Sequence, residues 1–167
     1  SGKSTIARGL QTMGYMVYDT DQEAKRLIIE DKHVRQQIEN LLGKDAYENG
    51  VYQTALVAQR VFSNQSLLRG LNAIVHPAVK ADILQWKQTN ERRGEKFLFV
   101  ECAILYQAGF DKLCDKVVVI TAPQDIRIQR TIKRDHTSRD KVLARMRAQN
   151  IENNQSKADL VVNNDGK

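Results

Sequence analysis

The five residues Ser1-Gly2-Lys3-Ser4-Thr5 constrain this chain more than any other stretch. They match the closing half of the phosphate-binding pattern G-x-x-x-x-G-K-[ST]. In that motif a glycine-rich loop runs into a helix whose first N–H groups lack intrahelical acceptors and point at phosphate oxygens. Lys3 would bridge the terminal phosphates as a point charge, and the Ser4 hydroxyl would ligate Mg²⁺. Ser1, Gly2 and Thr5 complete the expected cradle for ATP. The same letters also suit an ordinary polar turn before a helix, so the neighbours matter. Ile6, Leu10 and Met13 follow at helical spacing, and Gly14 is placed to end the helix. Tyr15-Met16-Val17-Tyr18 then reads as a strand closing on Asp19-Thr20-Asp21. Such a loop needs a strand to hold it, so a short apolar strand is expected ahead of Ser1. The close at Asp165-Gly166-Lys167 is also abrupt, and a slightly longer protein is expected.

A chain of 167 residues is ample for one core, or a core with one insertion. It has no run of eighteen apolar residues, which predicts no membrane partner. Cys102 and Cys114 form no metal or redox spacing, which suits a reducing cytoplasm. The formal charge of +6 favours anionic partners. Aromatic content is low and no nucleic-acid signature is present, so nucleic acid is the weaker choice of partner.

After Asp21 the pattern turns helical. Ala24, Leu27 and Ile28 mark one face; Val34, Ile38, Leu41 and Leu42 mark another, stopped by Gly43. Residues 44–52 read as a loop turning at Asn49-Gly50. Leu56, Val57 and Val61 give a third face, and Ser63 or Asn64 could cap a fourth that carries Leu67, Leu68 and Leu71. Pro77 is expected at the first position of a separate, longer helix lined by Val79, Ile83 and Leu84. Strands return at 96–101 and 116–120, in continuous apolar runs that suit a covered parallel sheet. Pro123 opens a basic helix, Thr137 with Asp140 suggests a capping box for the next, and 159–162 makes a last strand. This order predicts a doubly wound α/β sheet of P-loop kinase type, with a helical insertion. The expected parts are a nucleotide core at 1–30 and 94–167, a helical substrate domain at 31–93 and an arginine-rich lid at 124–150.

Asp19 and Asp21 are expected at the carboxyl end of a parallel strand, where ligands collect in open α/β sheets. Phosphoryl transfer to a hydroxyl needs a carboxylate to orient the nucleophile and accept its proton. On an extended segment the two acids would point the same way, one toward the acceptor and the other to Mg²⁺ or a helix cap. Asp21 is the favoured base and a second candidate Mg²⁺ ligand; the plainer reading makes both acids helix caps. Glu101 closes the next strand, near the metal's water shell or as an ordinary strand-end acid. Arg127, Arg130 and Arg134 share one helical face, and Arg139, Arg145 and Arg147 follow. Such a basic hairpin suits a lid that neutralises phosphate charge, or simply a solvated surface. His76 reads as a capping or packing residue before a catalytic one; His33 and His136 read as surface residues.

Taken together, these residues resemble the dephospho-coenzyme A kinase family along almost the whole sequence. Ser1 to Thr5 is similar to the second half of its phosphate loop. Tyr18-Asp19-Thr20-Asp21 resembles its Asp-Ala-Asp segment, whose second aspartate corresponds to Asp21. Leu71 to Pro77 resembles its apolar-His-Pro signature, and Glu101 to Gln107 its Asp-x-Pro-Leu-Leu-x-Glu segment. Arg130 with Arg134-Asp135, Arg145 to Gln149, and Ala158-Asp159 through Asn164 and Gly166 are similar to its lid and final turn. Ala103 stands where the family has proline, Gln107 where it has glutamate, and Asn163 where an acid is usual. The resemblance implies transfer of the ATP γ-phosphate to the ribose 3′-hydroxyl of dephospho-CoA, the last step of coenzyme A synthesis. It implies catalytic roles for Lys3, Asp21 and Arg130, and nucleotide contacts from Arg134 and Asn164. It also implies substrate contacts from Asp19, His76, Glu101 and Arg145, in a monomer or weak homo-oligomer. Another small-molecule or nucleoside monophosphate kinase of the same fold is the near rival. A nucleotide switch without a phosphate acceptor is the rival from a different class.

Overall fold

The computed structural model describes residues 2–136, 138–149 and 155–165. The chain divides into two units, one of residues 16–102 and one of residues 1–15 with 103–167.

In the unit of residues 16–102, strand β1 (Met16–Asp19) pairs in parallel with β4 (Leu98–Glu101), placing Asp19 beside Glu101. Everything between them is a crossover built mainly of helices. Helix α2 (Thr20–Glu30) begins where the Asp19 side chain accepts the N–H groups of Asp21 and Gln22, at 3.0 and 3.1 Å. Asp21 therefore sits in the first helical turn. The extended Asp19–Asp21 segment expected above is not formed, because capping starts the helix at Thr20. Asp31 does the same for α3 (Lys32–Leu42), accepting from His33 and Val34. Residues 44–52 are more ordered than a loop: a 3₁₀ turn (Lys44–Ala46) leads into a small hairpin of β2 (Tyr47–Glu48) and β3 (Val51–Tyr52). Asn49 (φ 50°) and Gly50 (φ 82°) make its turn, both in the left-handed region that a tight right-twisted hairpin requires.

Helix α4 (Thr54–Phe62) precedes α5 (Gln65–Arg92), whose cap is Asn64, accepting from Ser66 and Leu67. The helix break expected at His76-Pro77 is not there: α5 runs 28 residues with Pro77 inside it. An interior proline loses one backbone bond and clashes with the preceding turn, costing about 3 kcal/mol or more. Leu67, Leu71, Ile74, Val75 and Ala78 flank it and pack against the core of Val34, Ile38, Leu42, Ala46, Tyr47 and Val57. Burial at about 1.5–3 kcal/mol per large apolar side chain outweighs that cost. Gly70 lets α5 and α3 approach, since a Cβ there would meet the Leu41 methyl carbons at 3.0 Å.

In the other unit, α1 (Lys3–Thr12) ends as expected at Gly14. The N–H of Gly14 reaches Gln11 O and that of Tyr15 reaches Leu10 O, the paired bonds of a Schellman ending. A 3₁₀ turn (Phe110–Leu113) leads to β5 (Val118–Thr121), which pairs in parallel with β6 (Leu160–Asn163). Both strands begin one or two residues later than the apolar pattern suggests. The Asp159 carboxylate takes up Lys116 Nζ and Val117 N first, at 2.9 and 2.8 Å. Helix α6 (Gln124–Asp135) follows Pro123, and α7 (Arg139–Gln149) follows Ser138, whose hydroxyl accepts from Lys141 N. The cap expected at Thr137 lies outside the described residues.

Candidate active site

The predicted residues gather in two places, one in each unit. The first is the head of α1. Gly2 holds φ 98°, a left-handed conformation glycine adopts without strain, and its carbonyl accepts the N–H groups of Thr5 and Ile6 at 3.1 Å. A Cβ on Gly2 would lie 2.2 Å from Asn164 Nδ2, so any larger residue meets the side chain that follows β6. Asn164 is fixed in turn: its N–H donates to Thr121 O at 2.7 Å, and its carbonyl accepts from Arg130 Nη1 at 3.4 Å. Gly2, Asn164 and Arg130 are thereby brought together at the carboxyl ends of β5 and β6. Lys3, Ser4 and Thr5 form the first turn of α1 beside them. Beside the same strand ends a cleft is lined by Thr121, Ala122, Pro123, Gln124, Arg127, Gln155 and Asn163. Arg127 Nε is buried there without a hydrogen-bond acceptor among the described residues. Arg127 and Arg130 share a helical face but do different things, one lining the cleft and the other reaching Asn164.

The second place is the paired ends of β1 and β4. Asp19 spends one carboxylate oxygen on the α2 cap. Thr20, buried, donates its hydroxyl to Glu101 O at 3.0 Å and ties the start of α2 to β4. No hydrogen bond or ion pair to another described side chain engages the exposed Asp21 carboxylate. Of the two acids, Asp19 is the helix cap, while Asp21 stands exposed in the first turn of α2. His76 lies mid-way along α5, half-buried, and burial pushes its pKa below the ordinary value. His33 and His136 are exposed, as expected.

Ser1 lies outside the described residues, as do the side chains of Arg134 and Arg145. Gln107 is exposed, and Ala103 begins the turn that carries it. Asn163 takes the Thr121 hydroxyl on its Oδ1 at 3.4 Å, a neutral contact in place of an acid. Among the described residues no group of three or more His, Cys, Asp or Glu side chains could hold a metal, and no helix is long and apolar enough to cross a membrane.

The sequence reading missed one cluster. Tyr18, buried, donates its hydroxyl to Asp82 Oδ2 at 2.6 Å, and Arg26 Nη2 donates to the same oxygen at 2.7 Å. The only signal for it was an acid on the core-facing side of α5, one residue before Ile83.

Comparison with known proteins bears on all of this. A family model described as dephospho-CoA kinase matches residues 1–167. A protein of that name from Porphyromonas gingivalis is 40% identical over 158 residues, covering 95% of this chain and 77% of the relative. One from Bacteroides fragilis is 32% identical over 167 residues, covering 99% and 80%. A crystal structure of a Thermus thermophilus protein superposes with TM-score 0.81 at 30% identity, covering 99% of this chain and 84% of that one. The dephospho-CoA kinase structure from Campylobacter jejuni gives TM-score 0.72 at 25% identity, with the same coverage. The fold is that of an α/β P-loop kinase, and the chain belongs to the dephospho-CoA kinase family.

Proposed function

We propose that this chain phosphorylates the ribose 3′-hydroxyl of dephospho-CoA at the expense of ATP, releasing coenzyme A and ADP. The observation that carries the reading is the family match along the full 167 residues. The geometry supports its nucleotide half through Gly2, Asn164 and Arg130.

In this reading the opening amides of α1 and the Lys3 ammonium hold the triphosphate, with Ser1, Gly2, Ser4 and Thr5 forming the cradle. Arg130, with Arg134 from the next turn, offsets charge on the transferred group, where such arginines contribute about 10³-fold or more. Asn164 holds the loop and Arg130 to one another. Asp21 orients the acceptor hydroxyl and takes its proton. Asp19, His76, Glu101 and Arg145 contact the acceptor. The helical stretch 31–93 serves as substrate domain and 124–150 as lid.

Mg²⁺ suits the donors present. It takes one or two protein oxygens and otherwise phosphates and water, so the Ser4 hydroxyl, with Asp21 as a second candidate, is enough without an acidic cage. When bound it would neutralise charge on the β- and γ-phosphates. The protein is proposed to act in the cytoplasm, as a monomer or weak homo-oligomer.

The test is a coupled ADP assay with dephospho-CoA as the only acceptor. ADP release that depends on the acceptor, with one phosphate gained by it, is the expected result. Slow ATP hydrolysis indifferent to dephospho-CoA would replace this reading with a nucleotide switch.

A further inference from the structure

The bridge of Tyr18, Asp82 and Arg26 joins three elements: β1 through Tyr18, α2 through Arg26 and α5 through Asp82. Arg26 is itself held on α2 by Glu23 at 2.5 Å. Trp86, one helical turn after Asp82, packs its edge on the Tyr18 ring at 5.4 Å between centroids. Tyr18 immediately precedes Asp19, the cap of α2, and lies three residues before Asp21. A displacement of Tyr18 is therefore passed straight to the turn that carries the proposed base. The Thr20–Glu101 bond fixes that turn from the β4 side, and the Tyr18–Asp82 bond fixes it from the α5 side.

Stability alone is a poor account of this arrangement. Phenylalanine would fill the same buried space, and replacing buried polar networks with apolar groups is often neutral or stabilising. What a shared carboxylate adds is direction: it accepts two donors from two elements at one oxygen and so sets one angle between them. Burial and the Asp82 carboxylate also hold the Tyr18 hydroxyl protonated well above its usual range, so it stays a donor at any assay pH.

We propose that Tyr18 and Asp82 are positioning residues for phosphoryl transfer, fixing the first turn of α2, with Asp21 on it, against the helix that carries His76. The proposal rests on the reading of Asp21 as base. Neither residue touches substrate; they act by setting where the acceptor hydroxyl and its base meet, a placement for which an error of about 1 Å can cost about 100-fold.

The experiment compares Tyr18→Phe, Asp82→Ala, Asp82→Asn and the Tyr18→Phe/Asp82→Ala pair with the parent protein, using Asp21→Asn as reference. Initial rates are normalised to folded protein and read as kcat and as separate KM values for ATP and dephospho-CoA. The expected result is a fall in kcat of about tenfold for Tyr18→Phe, in line with loss of one hydrogen bond to a charged group. The KM for dephospho-CoA should rise and that for ATP should hold. The double variant should be no worse than Asp82→Ala, and Asp82→Asn, which keeps an acceptor, should be milder than Asp82→Ala. Should Tyr18→Phe not fold, the Asn-against-Ala order at position 82 decides alone. Parent-like kcat in folded Tyr18→Phe, or equal loss in Asp82→Asn and Asp82→Ala, would overturn the proposal. A failure of the base reading shows elsewhere, as retained turnover in Asp21→Asn, and that too would remove the proposal as stated.

Discussion

The two clusters of candidate residues, one in each unit, are built on opposite plans. At the head of α1 the candidate groups are mostly backbone, and their position is set by a close approach: a glycine with φ 98° against the side chain of Asn164. At the ends of β1 and β4 the candidate groups are carboxylates, in a frame held by side chains: a threonine to a carbonyl, a tyrosine and an arginine to one aspartate. In the first plan an added Cβ at Gly2 must displace the Asn164 amide and hold a backbone angle that side chains rarely adopt. The second depends on directed hydrogen bonds between elements. The difference follows from the ligand each half is proposed to meet. Phosphate oxygens accept from any correctly spaced N–H, whereas a single acceptor hydroxyl must be held against one base.

The largest effects separate the halves by what each loses. Asp21→Asn should reduce kcat by about a thousandfold, within the range typical of a positioned general base. It should leave ATP affinity, measured by calorimetric titration, where it was. Gly2→Ala should reduce kcat/KM by about 100-fold and weaken ATP binding as well, because its Cβ would meet Asn164 Nδ2 at 2.2 Å. Gly9→Ala is the matched control: nothing lies within 4 Å of that position. A helix-interior glycine replaced by alanine gains about 0.5–1 kcal/mol, so this variant should be active and slightly more stable. If Gly2→Ala bound ATP normally, the contrast between the halves would fail at its first step.

The same contrast decides what could be read from the sequence. The head of α1 was legible as structure because its pattern is local: a glycine, a lysine and a hydroxyl within five residues, then a helix closed by Gly14. Asn164 was found only through the likeness of its final turn to a known family, since nothing near it in sequence calls for a partner 162 positions away at Gly2. The ends of β1 and β4 were half legible. Asp19 and Asp21 stood out as a pair, but only the fold shows that Asp19 caps α2. The Tyr18–Asp82 bond spans 64 residues, and neither residue looks unusual locally. Residues 65–92 were misread for a different reason. The rule that proline breaks helices is a local preference, and here burial of Leu71, Ile74, Val75 and Ala78 around Pro77 overrides it.

That override can be measured. Pro77→Ala should restore an N–H donor within α5 and remove the ring clash. Against the interior-proline cost of about 3 kcal/mol stands a loss of about 0.4–1 kcal/mol from freeing the unfolded chain. A net gain of about 2 kcal/mol in urea denaturation is expected. Unchanged or lowered stability would mean that the kink-prone turn is used by the packing around it. If stability rises while the dephospho-CoA KM worsens, the proline serves the acceptor half, and that half relies on backbone shape more than the comparison allows.

The smallest effect concerns His76, beside that proline. Burial holds its folded-state pKa below the unfolded value of about 6.5. The unfolded chain therefore takes up a proton at this site before the folded one does. The contribution is complete above about pH 6.5 and is lost as pH falls through the folded pKa, so stability should decline on acidification across that window. His76→Gln, which cannot titrate, should flatten the slope below pH 6.5 and leave the urea midpoint at pH 8 nearly unchanged. Urea midpoints at several pH values read this directly. An unchanged slope would place the acid sensitivity elsewhere. A slope of opposite sign would mean that the folded protein stabilises the imidazolium, and His76 would then belong with the charged groups that meet an anionic substrate, not with the packed face of α5.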